Sequence, residues 1–327
     1  METIFPPPLQ KGDLIALVFP ASFFTQNDID ANEILESKAA WLKLQGYRTV
    51  FYPEKINRHG YLAGKDNERA EAFMNAWKNE EVKAIWCFRG GYGSTRILDY
   101  LDYEIIKAHP KILIGMSDIT ALHQAIGQKT GLVTFLGPTL SFFGKPDFDD
   151  EYAFSSFETT ASNQITDSIP LPPDYQLKIL RPGNAQGILV GGNLSLIATL
   201  CGTKWQPDTQ GKILLLEDVN ETIYVIDRKL WQLKAAGLLD NPAAIILGTW
   251  TNCNPNTPCS LTLTEVFDHY FDNAPYPVIQ EFPSGHDKYQ ATLPLNAPIE
   301  IDTESKRVTI FKSTHNITPL QQVPKSL

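Results

Sequence analysis

The stretch KILIGMSDITALHQAIGQKTG, Lys111 to Gly131, decides how the chain is read. Ile112 to Gly115 suits a buried strand, and a helical pattern follows almost at once, over Asp118 to Lys129. A strand that hands over directly to a helix is the repeating unit of an α/β fold. Ser117 stands at the break. Serine is a favoured helix N-cap. A hydroxyl on a sharp strand-to-helix turn is also the layout of a nucleophile elbow, where free N–H groups at the helix start face a developing oxyanion. Gly115 to Ile119 supplies the first glycine of G-x-S-x-G and lacks the second. At this point both readings of Ser117 stand.

The same alternation extends outward. DLIALVFPAS (Asp13 to Ser22), YRTVFY, VKAIWCF and GLVTFLG read as strands, with helices over Ile29 to Gln45, from Asp66 through DNERAEAFMNAWKN, and in a segment leading to Pro110. After Ser141 the period is lost in SFFGKPDFDDEYAFSSFETTASNQITDSIPLPPDY, a stretch that reads as a linker or as an excursion over the first domain. Order returns with GILVGGN, KILLLED, PAAIILGTW, PVIQEF, PIEID and RVTIFK as strands, and LSLIATLCG, TIYVIDRKLWQLKAAG and LTLTEVFDHYF as helices. The expectation is a mostly parallel sheet in an N-terminal α/β domain over 1–140, which contains Ser117. A variable segment over 141–184 joins it to a second α/β domain over 185–327.

Composition narrows the function classes. The chain has 327 residues, 43% of them hydrophobic and 20% charged, enough for two domains with sizeable cores. With 28 basic and 37 acidic residues the net charge is -9, and there is no basic run, so nucleic acid is not an expected partner. No apolar stretch reaches membrane-span length, and the Pro-rich start METIFPPPLQKGD lacks the basic flank of a signal peptide. Cys87, Cys201, Cys253 and Cys259 form no CxxC pair and no His lies at zinc-ligand spacing from them, which indicates reduced thiols and no metal. A cytoplasmic protein without a cofactor is expected.

Three further segments carry chemistry. RGGYGS, Arg89 to Ser94, follows a strand and matches neither G-x-G-x-x-G nor a P-loop. It reads as a tight turn or as a set of N–H donors at the C-terminal ends of the strands, where ligands gather in open α/β sheets. If VKAIWCF and KILIGM are neighbours, this turn lies beside Ser117. A serine nucleophile needs a base and the base an orienting acid. Among six histidines, His59, His109, His123, His269 and His315 lie in helical or polar contexts. His286 sits in the glycine-containing loop FPSGHDKYQATLP. Glu217, Asp218 and Glu221 in LLLEDVNE are the candidate acids, with Glu217 leaving a very apolar strand directly.

Together these segments make the chain resemble the serine LD-carboxypeptidase family, which includes the microcin C immunity peptidases. The resemblance runs through LQKGDLIALVFPAS, FRGGYGSTRILDYLD, IGMSDITALH, GGNLSLIATLCGT, LLLEDVNETIYVIDRKLWQLKAAGLLD, IILGTW and SGHDKYQATLPLNAP, in that order. It implies a flavodoxin-like N-terminal domain, a smaller C-terminal α/β domain and an active site between them. It implies a triad of Ser117, Glu217 and His286, with the backbone N–H groups of Gly91 and Asp118 as oxyanion donors. Arg89, Gly90 and Tyr92 are candidate substrate contacts from their place in the glycine turn, and a homodimer is expected by family analogy. One departure is Asn296, where glycine is common.

The implied reaction is release of the terminal D-Ala from a murein tetrapeptide through an acyl-enzyme, in peptidoglycan recycling. Recognition of a terminal carboxylate needs a cation, and Arg89 and Arg96 are the candidates by position, with structural ion pairing as the alternative. Within the family the rival substrate is an aminoacyl-nucleotide amide. The segment 141–184 offers Phe and Tyr but no Trp to stack on a base, which leans towards murein peptides. The rival of another class is a non-catalytic two-domain ligand-binding module.

Overall fold

The computed structural model describes residues 2–24, 29–162, 168–255 and 257–311, without the side chains of residues 29 and 30. His315 lies outside the described residues. In chain order the elements are β1 (Leu14–Val18), α1 (Ile29–Leu44), β2 (Arg48–Tyr52), α2 (Asp66–Lys78), β3 (Val82–Cys87), α3 (Tyr103–Ala108), β4 (Ile112–Gly115), α4 (Thr120–Thr130), β5 (Thr134–Leu136) and α5 (Asp150–Ala161). There follow β6 (Lys178–Arg181), β7 (Asn184–Asn193), α6 (Leu194–Leu200), β8 (Ile213–Val219), α7 (Ile223–Ala235), β9 (Ala244–Thr251) and α8 (Leu263–Phe271). The chain closes with β10 (Val278–Gln280), β11 (Leu293–Leu295), β12 (Pro298–Asp302) and β13 (Arg307–Ile310).

The first sheet has the order β11-β5-β4-β3-β1-β2. Its strands β1 to β5 are parallel in the order 2-1-3-4-5, the flavodoxin-like arrangement. Strand β1, LIALV, is buried along its whole length, as a parallel strand covered on both faces must be. The order reverses between β1 and β3, and the glycine turn leaves β3 there. Ser22, just past β1, accepts the Tyr92 N–H at 2.9 Å on its Oγ and so ties the two strand ends together.

The second sheet has the order β13-β12-β7-β8-β9-β10-β6, parallel from β7 to β10 and antiparallel outside. One apolar cluster runs from Trp86 and Phe143 to Leu215, Ile246 and Ile299, so the two sheets share a core.

Three local features differ from the sequence reading. The helix expected from Asp118 begins as a 3-10 turn over Ser117–Ile119 before α4. The helical segment leading to Pro110 is α3 preceded by a 3-10 helix, Ser94–Tyr100, whose first N–H donates to Asp118. Within 141–184 lies α5, capped by Asp149 through the Tyr152 N–H at 3.0 Å. It seats Phe157 on Trp86 (4.5 Å between ring centroids) and Phe154 on Trp41 (5.0 Å). Burying one such phenylalanine is worth about 2 kcal/mol, enough to hold this stretch on the first sheet.

Strand β11 is an addition from the far end of the chain. It pairs antiparallel with β5 at the sheet edge, where its Pro294 is tolerated. Beyond it, Asn296 adopts φ 65°, a left-handed conformation that Asn tolerates better than most residues. Its N–H donates to the Leu189 carbonyl at 2.8 Å.

Candidate active site

Ser117 follows β4 by two residues and has φ 63°. This is the left-handed region, unusual for serine and retained only where the surroundings enforce it. The Ser117 side chain does not cap the helix start; Met116 occupies the N-cap position of the 3-10 turn, without a side-chain cap bond. The cap reading of Ser117 therefore finds no hydrogen bond to support it.

The enforcement comes from both sides of the turn. The Asp118 carboxylate is buried and accepts the Ser94 N–H at 2.7 Å, while the Ser94 hydroxyl donates to the Asp118 carbonyl. Burial pushes the Asp118 carboxyl up and the Ser94 hydrogen bonds partly offset that. Behind the turn, the fully buried His123 meets the Gly115 carbonyl at 2.9 Å through Nε2, and burial pushes its pKa down to about 4.

The glycine turn closes onto Ser117. A Cβ on Gly90 would lie 3.0 Å from the Ser117 Cβ and 3.3 Å from the Asp118 nitrogen. Gly91 has φ 99°, and a Cβ there would lie 2.5 Å from the Ser22 Oγ. The Asp118 N–H lies in the first turn, where amides have no intrahelical acceptor. Of the other residues read from this turn, Tyr92 is exposed beside Tyr61, at 5.7 Å between rings. Arg89 donates from Nη1 to the Phe23 carbonyl at 3.1 Å. Arg96 is taken by Asp66, at 3.0 Å from Nε and 2.8 Å from Nη2, so it is a structural ion-pair partner.

Across the shared core, His286 Nδ1 lies 2.8 Å from Glu217 Oε2. Only 1% of the Glu217 side chain and 12% of the His286 side chain are exposed. Burial pushes the imidazole down, but the charge and hydrogen bond of Glu217, with Asp218 behind, outweigh it. The net pKa is raised, and Lys145 opposes the rise. The other two candidate acids are committed elsewhere: Lys229 lies 3.2 Å from Asp218 and 2.7 Å from Glu221. Two glycines let the His286 loop press on β8 and β9. A Cβ on Gly248 would lie 2.2 Å from the Ser284 carbonyl, and one on Gly285 2.2 Å from Thr249 Oγ1. Met116, which precedes Ser117, lines one narrow space with Glu217 and with Gly285, which precedes His286.

Asn193 joins those halves and had no role in the sequence reading. Its N–H donates to Thr120 Oγ1 at 3.0 Å, at the start of α4. Its Nδ2 donates to Glu217 Oε1 at 3.2 Å and to Asp218 Oδ1 at 3.0 Å, while its Oδ1 accepts the Leu196 N–H that begins α6. Gly192 beside it has φ 135° and no room for a Cβ, which would lie 2.6 Å from Thr120 Oγ1. The sequence signal was N-cap chemistry before LSLIATL. That the same amide also holds a carboxylate is a tertiary fact.

A cleft of about 770 Å³ lies between α1 and α5 and is not lined by Ser117. Its polar groups satisfy one another, with Tyr47 OH donating to Glu158 at 2.8 Å and Lys11 paired to the same carboxylate. A hydroxyl on a left-handed strand-to-helix turn, first-turn backbone donors and an imidazole–carboxylate pair are the parts that acyl transfer uses.

Comparison with known proteins agrees. Residues 15–137 match the LD-carboxypeptidase N-terminal domain and residues 186–301 the LD-carboxypeptidase C-terminal domain. A probable murein peptide carboxypeptidase of Bacillus subtilis is 38% identical over 93% of this chain and 93% of its own. The structure of a muramoyltetrapeptide carboxypeptidase from Oxalobacter formigenes superposes with a TM-score of 0.78 at 28% identity, covering 91% of this chain and 97% of that one. A structure of the microcin C7 self-immunity protein MccF with aspartyl sulfamoyl adenosine gives a TM-score of 0.86 at 27% identity, covering 95% and 99%.

Proposed function

The chain belongs to the LD-carboxypeptidase family, and from that premise we propose that it removes the terminal D-Ala of murein tetrapeptides with Ser117 as nucleophile, in peptidoglycan recycling. It is a serine-type carboxypeptidase by family. The observation that carries the residue assignment is the pairing of a left-handed Ser117, pressed by Gly90, with the His286–Glu217 contact at 2.8 Å.

In the mechanism, His286 Nε2 takes the Ser117 proton as Oγ attacks the carbonyl of the diamino acid's L-centre. The oxyanion receives N–H groups from Asp118 and Gly91. Glu217 holds the ring by its Nδ1–H and stabilises the imidazolium. The C–N bond breaks, His286 Nε2–H passes its proton to the leaving D-Ala amine, and the acyl-enzyme remains on Ser117. Water, activated by the same histidine, then hydrolyses the ester and returns the proton to Ser117. The buried acid and the backbone donors are fixed before the substrate arrives, which is where electrostatic stabilisation gains most.

The substrate is separable from its family rival by direct competition. L-Ala-D-Glu-diaminopimelate-D-Ala is expected to release D-Ala, and aspartyl sulfamoyl adenosine to be cleaved far more slowly. Preference for the nucleotide would transfer the assignment to the microcin-type branch that MccF represents. The 38% identity to the murein peptide carboxypeptidase supports the first outcome. No helix among the described residues is long and apolar enough to cross a membrane. A cytoplasmic location and a homodimer are part of the proposal, and sedimentation of the purified chain tests the dimer.

A further inference from the structure

An enzyme that removes only the last residue must sense the end of its substrate. In a D-Ala leaving group a single carbon separates the amine from the carboxylate. The cation that recognises this carboxylate must therefore lie within side-chain reach of the elbow and the base together, on the side where His286 protonates the amine.

Lys145 and Arg89 each stand beside one half of the site, and neither forms an ion pair with a carboxylate among the described residues. Lys145 stands on the loop between β5 and α5 with its Nζ 4.2 Å from the centre of the Phe142 ring, and Phe142 stands 6.0 Å from the His286 ring. Its charge is felt by His286, whose pKa it lowers. Arg89 directly precedes Gly90, the glycine that touches Ser117, and Lys145 feels its charge in turn. Arg89 uses Nη1 on the Phe23 carbonyl, which aims the guanidinium while leaving other donors.

The surroundings hold the loop in place without neutralising it. The Asp150 carboxylate accepts the Gly144 N–H at 3.0 and 2.9 Å. Lys38 donates to the Phe143 carbonyl, and Lys288 O accepts the Asp149 N–H at 3.0 Å. Burial, Arg89 and Lys38 all push the Lys145 ammonium below its ordinary range, as expected of a cation held among like charges. Two neighbouring like charges repel each other and are relieved when an anion comes between them.

We propose that Lys145 and Arg89 bind the C-terminal carboxylate of the peptide substrate and that this pair confines the enzyme to terminal residues. Arg89 supplies a planar fork of donors and Lys145 a point charge held by the Phe142 ring. The inference rests on the peptidase reading above and adds the subsite that reads the substrate's end.

The test is kcat/KM on the tetrapeptide and on its C-terminal amide. The wild type is expected to prefer the acid by roughly 100-fold, the scale of a lost charge-assisted hydrogen bond. In Lys145→Met the acid-to-amide ratio falls roughly 10- to 100-fold, mainly through KM. Lys145→Arg restores most of the preference, and Lys145→Met with Arg89→Met brings the ratio near one. Circular dichroism and melting of each variant check that the exposed loop change leaves the fold intact. A Lys145→Met enzyme that keeps the wild-type ratio would overturn the inference while leaving the peptidase reading intact. A wild type that cleaves neither peptide would instead overturn the peptidase reading, and the subsite with it.

Discussion

Ser117 concentrates the argument at the scale of single residues. A serine at φ 63° gives up ordinary backbone comfort, and the buried Asp118–Ser94 link and the His123 contact with the Gly115 carbonyl hold it there. The base adds a measurable sign. Glu217 and Asp218 raise the His286 pKa above the ordinary value of 6.5 against the effect of burial. Only the neutral imidazole accepts the serine proton, so a raised pKa keeps it protonated to higher pH. The acid limb of kcat/KM is expected above 6.5. In Glu217→Gln the limb moves down, because burial is then unopposed by the carboxylate, and kcat drops on the order of 10⁴-fold. A limb below 6.5 that stays put in Glu217→Gln would remove Glu217 from its role.

At the scale of elements, the site depends on where glycines let backbones touch. Gly90 has an unstrained φ, and its lack of a Cβ is what admits Ser117. Gly90→Ala is expected to leave the melting temperature within a few degrees and to cut kcat on the order of 100-fold, the cost of about 1 Å of misplacement. Assays and melts of the one variant separate the two effects; full activity would mean that the turn does not set the serine. These elements were legible to different depths. β4 followed by a helix, and RGGYGS after a strand, could be read from local pattern because period and glycine placement are local. Glu217 and His286 became a pair only through the family resemblance, since 69 residues separate them. Asn193 had no part in the sequence reading: it caps α6, and the same side chain bonds across to β8. Lys145 lay in a segment without a period, where nothing local announces a neighbour such as His286. α5 went unseen although Asp149, Asp150 and Glu151 mark its start, because its Ser and Thr residues blur the apolar stripe.

Over the whole molecule, the two sheets cannot be parted at a point in the sequence. β11 comes from beyond His286 and completes the first sheet, α5 packs on that sheet, and the apolar cluster spans both sheets. Asn193 then bonds Thr120 on one side and Glu217 on the other. Calorimetry should accordingly show one cooperative unfolding transition with equal calorimetric and van't Hoff enthalpies. Two resolved transitions would mean that the halves fold independently and that the site is assembled from separate bodies. The shared core also explains how an elbow on one sheet and a base on another keep their geometry. Misplacement of either would cost the alignment on which acyl transfer depends.

The measurement that bears most directly on the account is D-Ala release from L-Ala-D-Glu-diaminopimelate-D-Ala by wild type and Ser117→Ala, side by side. The account predicts release by the wild type and a loss on the order of 10⁶-fold in the variant, the scale of a missing triad nucleophile. Equal release by both proteins would contradict it, because the bond would then be cut without the Ser117 hydroxyl.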